Sequence, residues 1–372
     1  MHYDNNIDDV CWYEVGNRRY YNKLEALFDH INSKQPMYFN VNDEEYSKYD
    51  WTLEPETSLE ELYTRRARQI RDKYDYLVLH FSGGSDSCNI LEICIRNNIF
   101  IDEIITRGSY RFSSGATGFL STEDSYSEVL TQGLPLALMA KEKYSPHMRV
   151  TISETSEILD NFYKNNPDWF EQGCTGGFTP SNILRSNKDL TGPHWRVLAE
   201  SGKKIAHIFG ADKPKIYRHK DYFYTRWIDK TLAQFNSVKY GNDPHPQYTE
   251  CFYLGKHAVD IQIKQLHVVK NYIKNNPVDP VECHPDSGRL YEDFIAKLIY
   301  HRTFPLICVH GKDDSTTPIA KRDSWFSKDQ FSDAYKNWER GVEYLQNSLP
   351  SQYLDSKKDL AGIWSKTYFL GA

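Results

Sequence analysis

A parallel α/β sheet covered by helices on both faces is the expected core of this chain, and two patterns carry that expectation. Short apolar runs at Tyr76–Phe81, Ile101–Thr106, Met148–Ile152 and Lys204–Phe209 alternate with helical stretches at Cys88–Asn97, Tyr126–Tyr144, Ser181–Ser186 and His194–Ser201. Such alternation is that of parallel strands joined by crossover helices. The first run also passes directly into Ser82-Gly83-Gly84-Ser85-Asp86-Ser87 and then into a helix. With 372 residues, 40% of them hydrophobic and 26% charged, the chain is long and apolar enough to bury a real core.

Around that core the elements fall into three parts. Residues 1–65 read as a small α+β segment. Trp12-Tyr13-Glu14-Val15 is a short strand, Tyr21 to Ile31 is a helix with Leu24, Leu27 and Phe28 on one face, and Gln35 to Val41 holds a second strand. Ser58 followed by Glu61 is a capping box that opens a helix running to about Tyr74. Residues 66–232 hold the sheet. Residues 233–372 read as mainly helical, led by Val259, Ile263, Leu266, Val269 and Ile273 at 3–4 residue spacing. The Gly- and Pro-bearing stretch Tyr240 to Pro246 is the expected linker between the last two parts.

The turn after Phe81 carries the chemistry. Tyr76–Phe81 is apolar on both faces, as a buried parallel strand must be. Gly83 and Gly84 lack a Cβ, so the backbone can turn sharply and approach a ligand. Ser85, Asp86 and Ser87 suit a helix's first turn, whose free N–H groups and positive dipole end attract anions. A carboxylate in such a place needs a cation, and Mg²⁺ bridging phosphates is the natural one for Asp86.

Ser82-Gly83-Gly84-Ser85-Asp86-Ser87 resembles the SGGxDS loop of the N-type ATP pyrophosphatases (PP-loop superfamily), nearest in type to the synthetase domain of asparagine synthetase. The resemblance implies a doubly wound parallel sheet of the adenine nucleotide α-hydrolase type. It implies ATP and Mg²⁺ as cofactors, with Ser82, Gly83, Gly84, Ser85, Asp86 and Ser87 cradling phosphate. It also implies the reaction: a substrate oxygen attacks the α-phosphate, pyrophosphate leaves, and a nitrogen or sulfur nucleophile then displaces AMP; the leading reading is nitrogen, forming a C–N bond.

Two further patches lie at strand ends. After Phe209 comes Gly210-Ala211-Asp212-Lys213-Pro214-Lys215. Asp212 is a candidate second Mg²⁺ ligand beside Asp86, and Lys213 and Lys215 are candidates to neutralise the departing pyrophosphate. After Thr106 comes Arg107, a candidate phosphate ligand.

Other features narrow the function. Met1 is followed by His2 and not by cysteine, so the glutaminase nucleophile of asparagine synthetase is not expected, and the nitrogen donor is ammonia, an amine, or ammonia from an ammonia-supplying partner. The seven cysteines form no C-x-x-C pair, which argues against a zinc ribbon; with no signal peptide, they suggest a reducing cytoplasmic setting. No apolar run is long enough for a membrane span. A net charge of −6 argues against bulk nucleic-acid binding while leaving room for a local basic patch. Two other readings stand beside the small-molecule synthetase: a PP-loop sulfur-transfer or sulfonucleotide enzyme, and a non-catalytic nucleotide-binding regulator.

Overall fold

The computed structural model describes residues 10–108, 129–171, 177–180, 193–210, 213–232, 247–287, 289–300, 326 and 330–372. Its N-terminal part holds β1 (Trp12–Val15), β2 (Arg18–Tyr20), α1 (Lys23–Ser33), β3 (Met37–Asn40) and the short α2 (Asp43–Tyr46). β1 lies between β2 and β3 and is antiparallel to both. Asn22 caps α1 by accepting the N–H groups of Leu24 and Glu25. Helix α3 (Leu59–Lys73) starts on the expected capping box: Glu61 N–H donates to the Ser58 hydroxyl, and Ser58 N–H donates to the Glu61 carboxylate. Its buried residues Leu62, Tyr63, Arg66, Ala67 and Ile70 recur every three to four positions, which turns one face to the core.

The central elements follow in order: β4 (Tyr76–His80), α4 (Ser85–Arg96), β5 (Glu103–Gly108), α5 (Leu134–Tyr144), β6 (Arg149–Glu154), α6 (Thr155–Asn165), α7 (Pro193–Glu200) and β7 (Ile205–Phe209). A π-helical turn over Val129–Gly133 leads into α5. Pro135, which has no N–H to give, sits just after that change of geometry. Next come β8 (Ile216–His219), β9 (Tyr222–Thr225), the short α8 (Asp229–Leu232), β10 (Tyr248–Cys251), α9 (Val259–Asn275), α10 (Arg289–Ile299), α11 (Asp333–Ser348) and β11 (Tyr368–Gly371).

Five strands form the main sheet in the order β10-β7-β4-β5-β6, with every pair parallel. Alternation along β4 splits its side chains between two layers. Leu77 and Leu79 join Ile90, Leu91 and Ile93 of α4 in the main core, while Val78 packs with Ile105, Ile205, Trp195 and Ala199 on the opposite face. Helices thus cover both faces. A third sheet, β11-β9-β8, is antiparallel.

The described part of the region after residue 232 is mainly helical, through α9, α10 and α11, but not helical throughout. It contributes β10 to the edge of the main sheet and β11 to the third sheet. Tyr248-Thr249-Glu250-Cys251 has no apolar run to announce a strand. Its place is set by pairing with β7 and by Glu250, buried among Arg66, Lys73 and Tyr74. Helix α6 also lacks a counterpart in the sequence expectations. The helix expected over Ser181–Ser186 and the linker expected over Tyr240–Pro246 lie outside the described residues. The hydrophobic core runs from Tyr13 through Leu77 and Ile208 to Leu266 and Tyr368, so the N-terminal strands, the main sheet and the last strand share it. A buried ion pair, Lys23 to Asp229 at 2.6 Å, joins the same regions. Among the described residues no helix is long and apolar enough to cross a membrane.

Candidate functional site

The strand order reverses at one place, the position where an open α/β sheet is expected to offer a crevice. From β4 the chain moves to its neighbour β5 on one side, and β7 later returns on the other. Ligands of open α/β sheets bind beyond the carboxyl ends of strands where the order reverses in this way. The loop after β4 and the loop after β7 both open there.

Backbone packing shapes the first loop. Gly83 has φ +83°, a left-handed conformation that favours glycine. A Cβ on Gly83 would sit 2.5 Å from the backbone nitrogen of Gly133, so two glycines from separate elements let their backbones meet. Gly84 is the N-cap of α4, and no side chain caps the helix. The Ser82 hydroxyl accepts the Gly84 N–H at 3.2 Å. Ser87 donates back to the Gly84 carbonyl at 3.1 Å, which stiffens the turn. The first turn of α4 therefore faces the crevice with its dipole end uncovered by a capping side chain.

The second loop closes on the first. Gly210 follows β7, and a Cβ there would lie 3.0 Å from Asp86 Cβ and 3.1 Å from Ser87 N. That approach delivers Lys213, whose buried ammonium donates to Asp86 Oδ2 at 2.7 Å across 127 residues of sequence. The other carboxylate oxygen accepts the Tyr300 hydroxyl. Tyr253 donates to the Asp86 carbonyl at 3.0 Å and accepts the Asn89 amide at 2.8 Å. Burial pushes the Tyr253 and Tyr300 hydroxyls well above the ordinary phenol range, and the Asp86 charge pushes the same way. Both therefore act as neutral donors.

A histidine pair lies on the opposite face of the sheet. His80, the last residue of β4, contacts His207 of β7 at 3.0 Å, and His207 contacts Gln247 at 2.7 Å. Burial drives the His207 imidazolium pKa down to about 3, with the Arg107 charge adding in the same direction, so this ring is neutral. His80 also stacks on Phe209, with ring centroids 4.0 Å apart.

The structure thus brings Ser82 to Ser87 and Lys213 together at one crevice. Lys215 lies two residues further on. Its carbonyl accepts the Thr225 hydroxyl, and its ammonium makes no ion pair among the described residues. Arg107 sits near the carboxyl end of β5, half-buried and paired in register with Ser153. Asp212 lies outside the described residues. Sequence reasoning missed Tyr253 and Tyr300. Tyr253 follows β10, and recognising that strand as part of the main sheet would have pointed to it. Tyr300 closes α10 and has no local signal.

The residues present suit a polyphosphate: an uncapped helix start, a glycine turn and a neighbouring ammonium all favour anions. Among the described residues no three His, Cys, Asp or Glu side chains cluster to hold a metal ion. Asp86 is therefore the candidate protein ligand, in keeping with Mg²⁺, which takes one or two carboxylates and completes its shell with phosphate and water. Neither a protein-family model nor a curated protein matches the chain.

Proposed function

We propose that this protein is an ATP-dependent synthetase on a doubly wound, adenine nucleotide α-hydrolase-like sheet, adenylating a small substrate and then forming a C–N bond. The observation that supports this most is the pairing of Lys213 with Asp86 over the uncapped start of α4, at the point where the strand order reverses. Gly83 and Gly84 admit the polyphosphate to backbone N–H groups. Lys213 exchanges its carboxylate partner for phosphate oxygens, where charge builds up as the α–β bond breaks. Asp86 would be the residue to hold Mg²⁺, which would supply charge neutralisation to the phosphates. Tyr300 keeps the Asp86 carboxylate oriented through its other oxygen. A substrate oxygen takes the α-phosphorus, pyrophosphate leaves, and ammonia, free or from a supplying partner, displaces AMP.

The thiols in the described part offer little to a sulfur-transfer reading. Burial pushes Cys94 and Cys251 up to about 12, and Cys88 donates to the Gly83 carbonyl as a thiol. Incubation with α-³²P-ATP, Mg²⁺ and a metabolite mixture tests the proposal. AMP with pyrophosphate is the expected product pair. ADP with phosphate contradicts the proposal, and nucleotide binding without turnover points to a regulator.

A further inference from the structure

We propose that the outer face of the β11-β9-β8 sheet is a docking surface for a single-stranded polynucleotide. The inference rests on binding geometry alone and stands apart from the adenylation proposal. Register places Tyr217, Tyr224 and Phe369 in one row across the three strands. Tyr217 and Tyr224 are stacked, with centroids 5.4 Å apart and planes 19° apart, and Phe369 follows at 6.4 Å from Tyr224. The alternate residues Ile216, Phe223 and Tyr368 enter the core, so the row lies on the other side of the sheet; there Tyr217 is buried beside Trp364 and Arg226, Tyr224 is half-buried and Phe369 is open to solvent. Phe369 is 63% exposed, and Tyr222, on the same face, is 56% exposed. Two large rings turned to water beside the half-buried Tyr224 mark an interaction surface rather than a core.

Charge selects the occupant. Between Lys215 and Arg226 the chain carries four cations (Lys215, Arg218, Lys220 and Arg226) against the single carboxylate Asp221, in a protein of net charge −6. The Arg226 guanidinium lies 4.0 Å above the Trp364 ring and 5.2 Å from the Tyr217 centroid. His219 and Lys220 are exposed at the hairpin end of the ladder, while Arg218 is exposed on the other face, its guanidinium over Phe223. Rings that offer π-faces, interleaved with cations that follow a phosphate backbone, are what unpaired bases need. A duplex buries its base faces and would use only the cations. Tyr217 lies four residues past Lys213, within about 14 Å of chain, so the ladder borders the crevice already described.

The test is fluorescence anisotropy of the full chain with a fluorescein-labelled oligouridylate, repeated over a salt series. The wild type is expected to bind saturably, more weakly as salt rises. Phe369→Ala and Tyr224→Ala are each expected to weaken binding about tenfold, the loss of one stacked base. Lys220→Glu is expected to lower the salt slope by about one or more. Phe369 and Lys220 are surface side chains, so these two variants keep the fold, which circular dichroism verifies. Absent binding overturns the proposal, as do affinities unchanged in all three variants or a labelled duplex bound as tightly as the single strand. Sedimentation equilibrium showing a dimer that Phe369→Ala dissociates also overturns it, because the face then belongs to a second copy of the chain.

Discussion

Gly83→Ala probes the contact on which the phosphate turn depends. The new Cβ would lie 2.5 Å from Gly133 N and 2.7 Å from Gly133 Cα, whereas ordinary contact begins near 3.4 Å. Both atoms are backbone, so no side chain can swing aside, and the loop and the start of α5 must part by roughly 1 Å in a close-packed interior. Overpacking of this kind costs about 1–3 kcal/mol. The left-handed φ of +83° adds about 1–2 kcal/mol for any residue with a Cβ. A loss of about 3 kcal/mol is therefore expected, read as a lowered midpoint in urea unfolding followed by tryptophan fluorescence. Gly133→Ala attacks the same contact from the other side, since its Cβ would meet the Ser82 carbonyl oxygen at 2.8 Å. Once the backbones have parted for one alanine the second costs less, so the double variant is expected to lose less than the two singles together. A Gly83→Ala protein within about 0.5 kcal/mol of the wild type would refute the packing argument.

Three other outcomes are expected. Asp86→Asn and Lys213→Met should each abolish AMP-forming turnover, and the double variant should be no worse than either single one, because the two groups act as a unit; additive losses would show that they act separately. Asp229→Asn should destabilise the protein by about 3–5 kcal/mol in chemical denaturation, since it strands the Lys23 ammonium in the core; a change below about 1 kcal/mol would contradict a buried pair. His207 remains neutral in the folded chain down to about pH 3, whereas the unfolded ring takes up a proton below about pH 6.5. Stability should consequently fall by up to about 1.4 kcal/mol per pH unit as pH drops below that point. In His207→Gln this part of the acid dependence should disappear, and an unchanged pH profile would place the titration elsewhere.

Local signals in the chain were easy to read. The apolar run Tyr76–Phe81 becomes a strand, Gly83 and Gly84 become a turn, and the residues from Ser85 become a helix. Each outcome depends on a few adjacent residues. Ser58 and Glu61 set a helix start in the same way, and the apolar spacing from Val259 sets a seventeen-residue helix. Strands with mixed residues were not readable, as Tyr248–Cys251 shows: only the β7 edge and the carboxylate partners of Glu250 make that segment a strand.

By itself, then, the sequence determined the glycine turn, the helix that follows it and the alternating elements, because caps, turns and periodicity act between near neighbours. Tertiary structure decided that Lys213, Tyr253 and Tyr300 converge on Asp86, and that Tyr217, Tyr224 and Phe369 share one row. Those meetings depend on strand order and register. Both are settled by how whole layers bury their apolar faces against one another, and no window of a few residues contains that information.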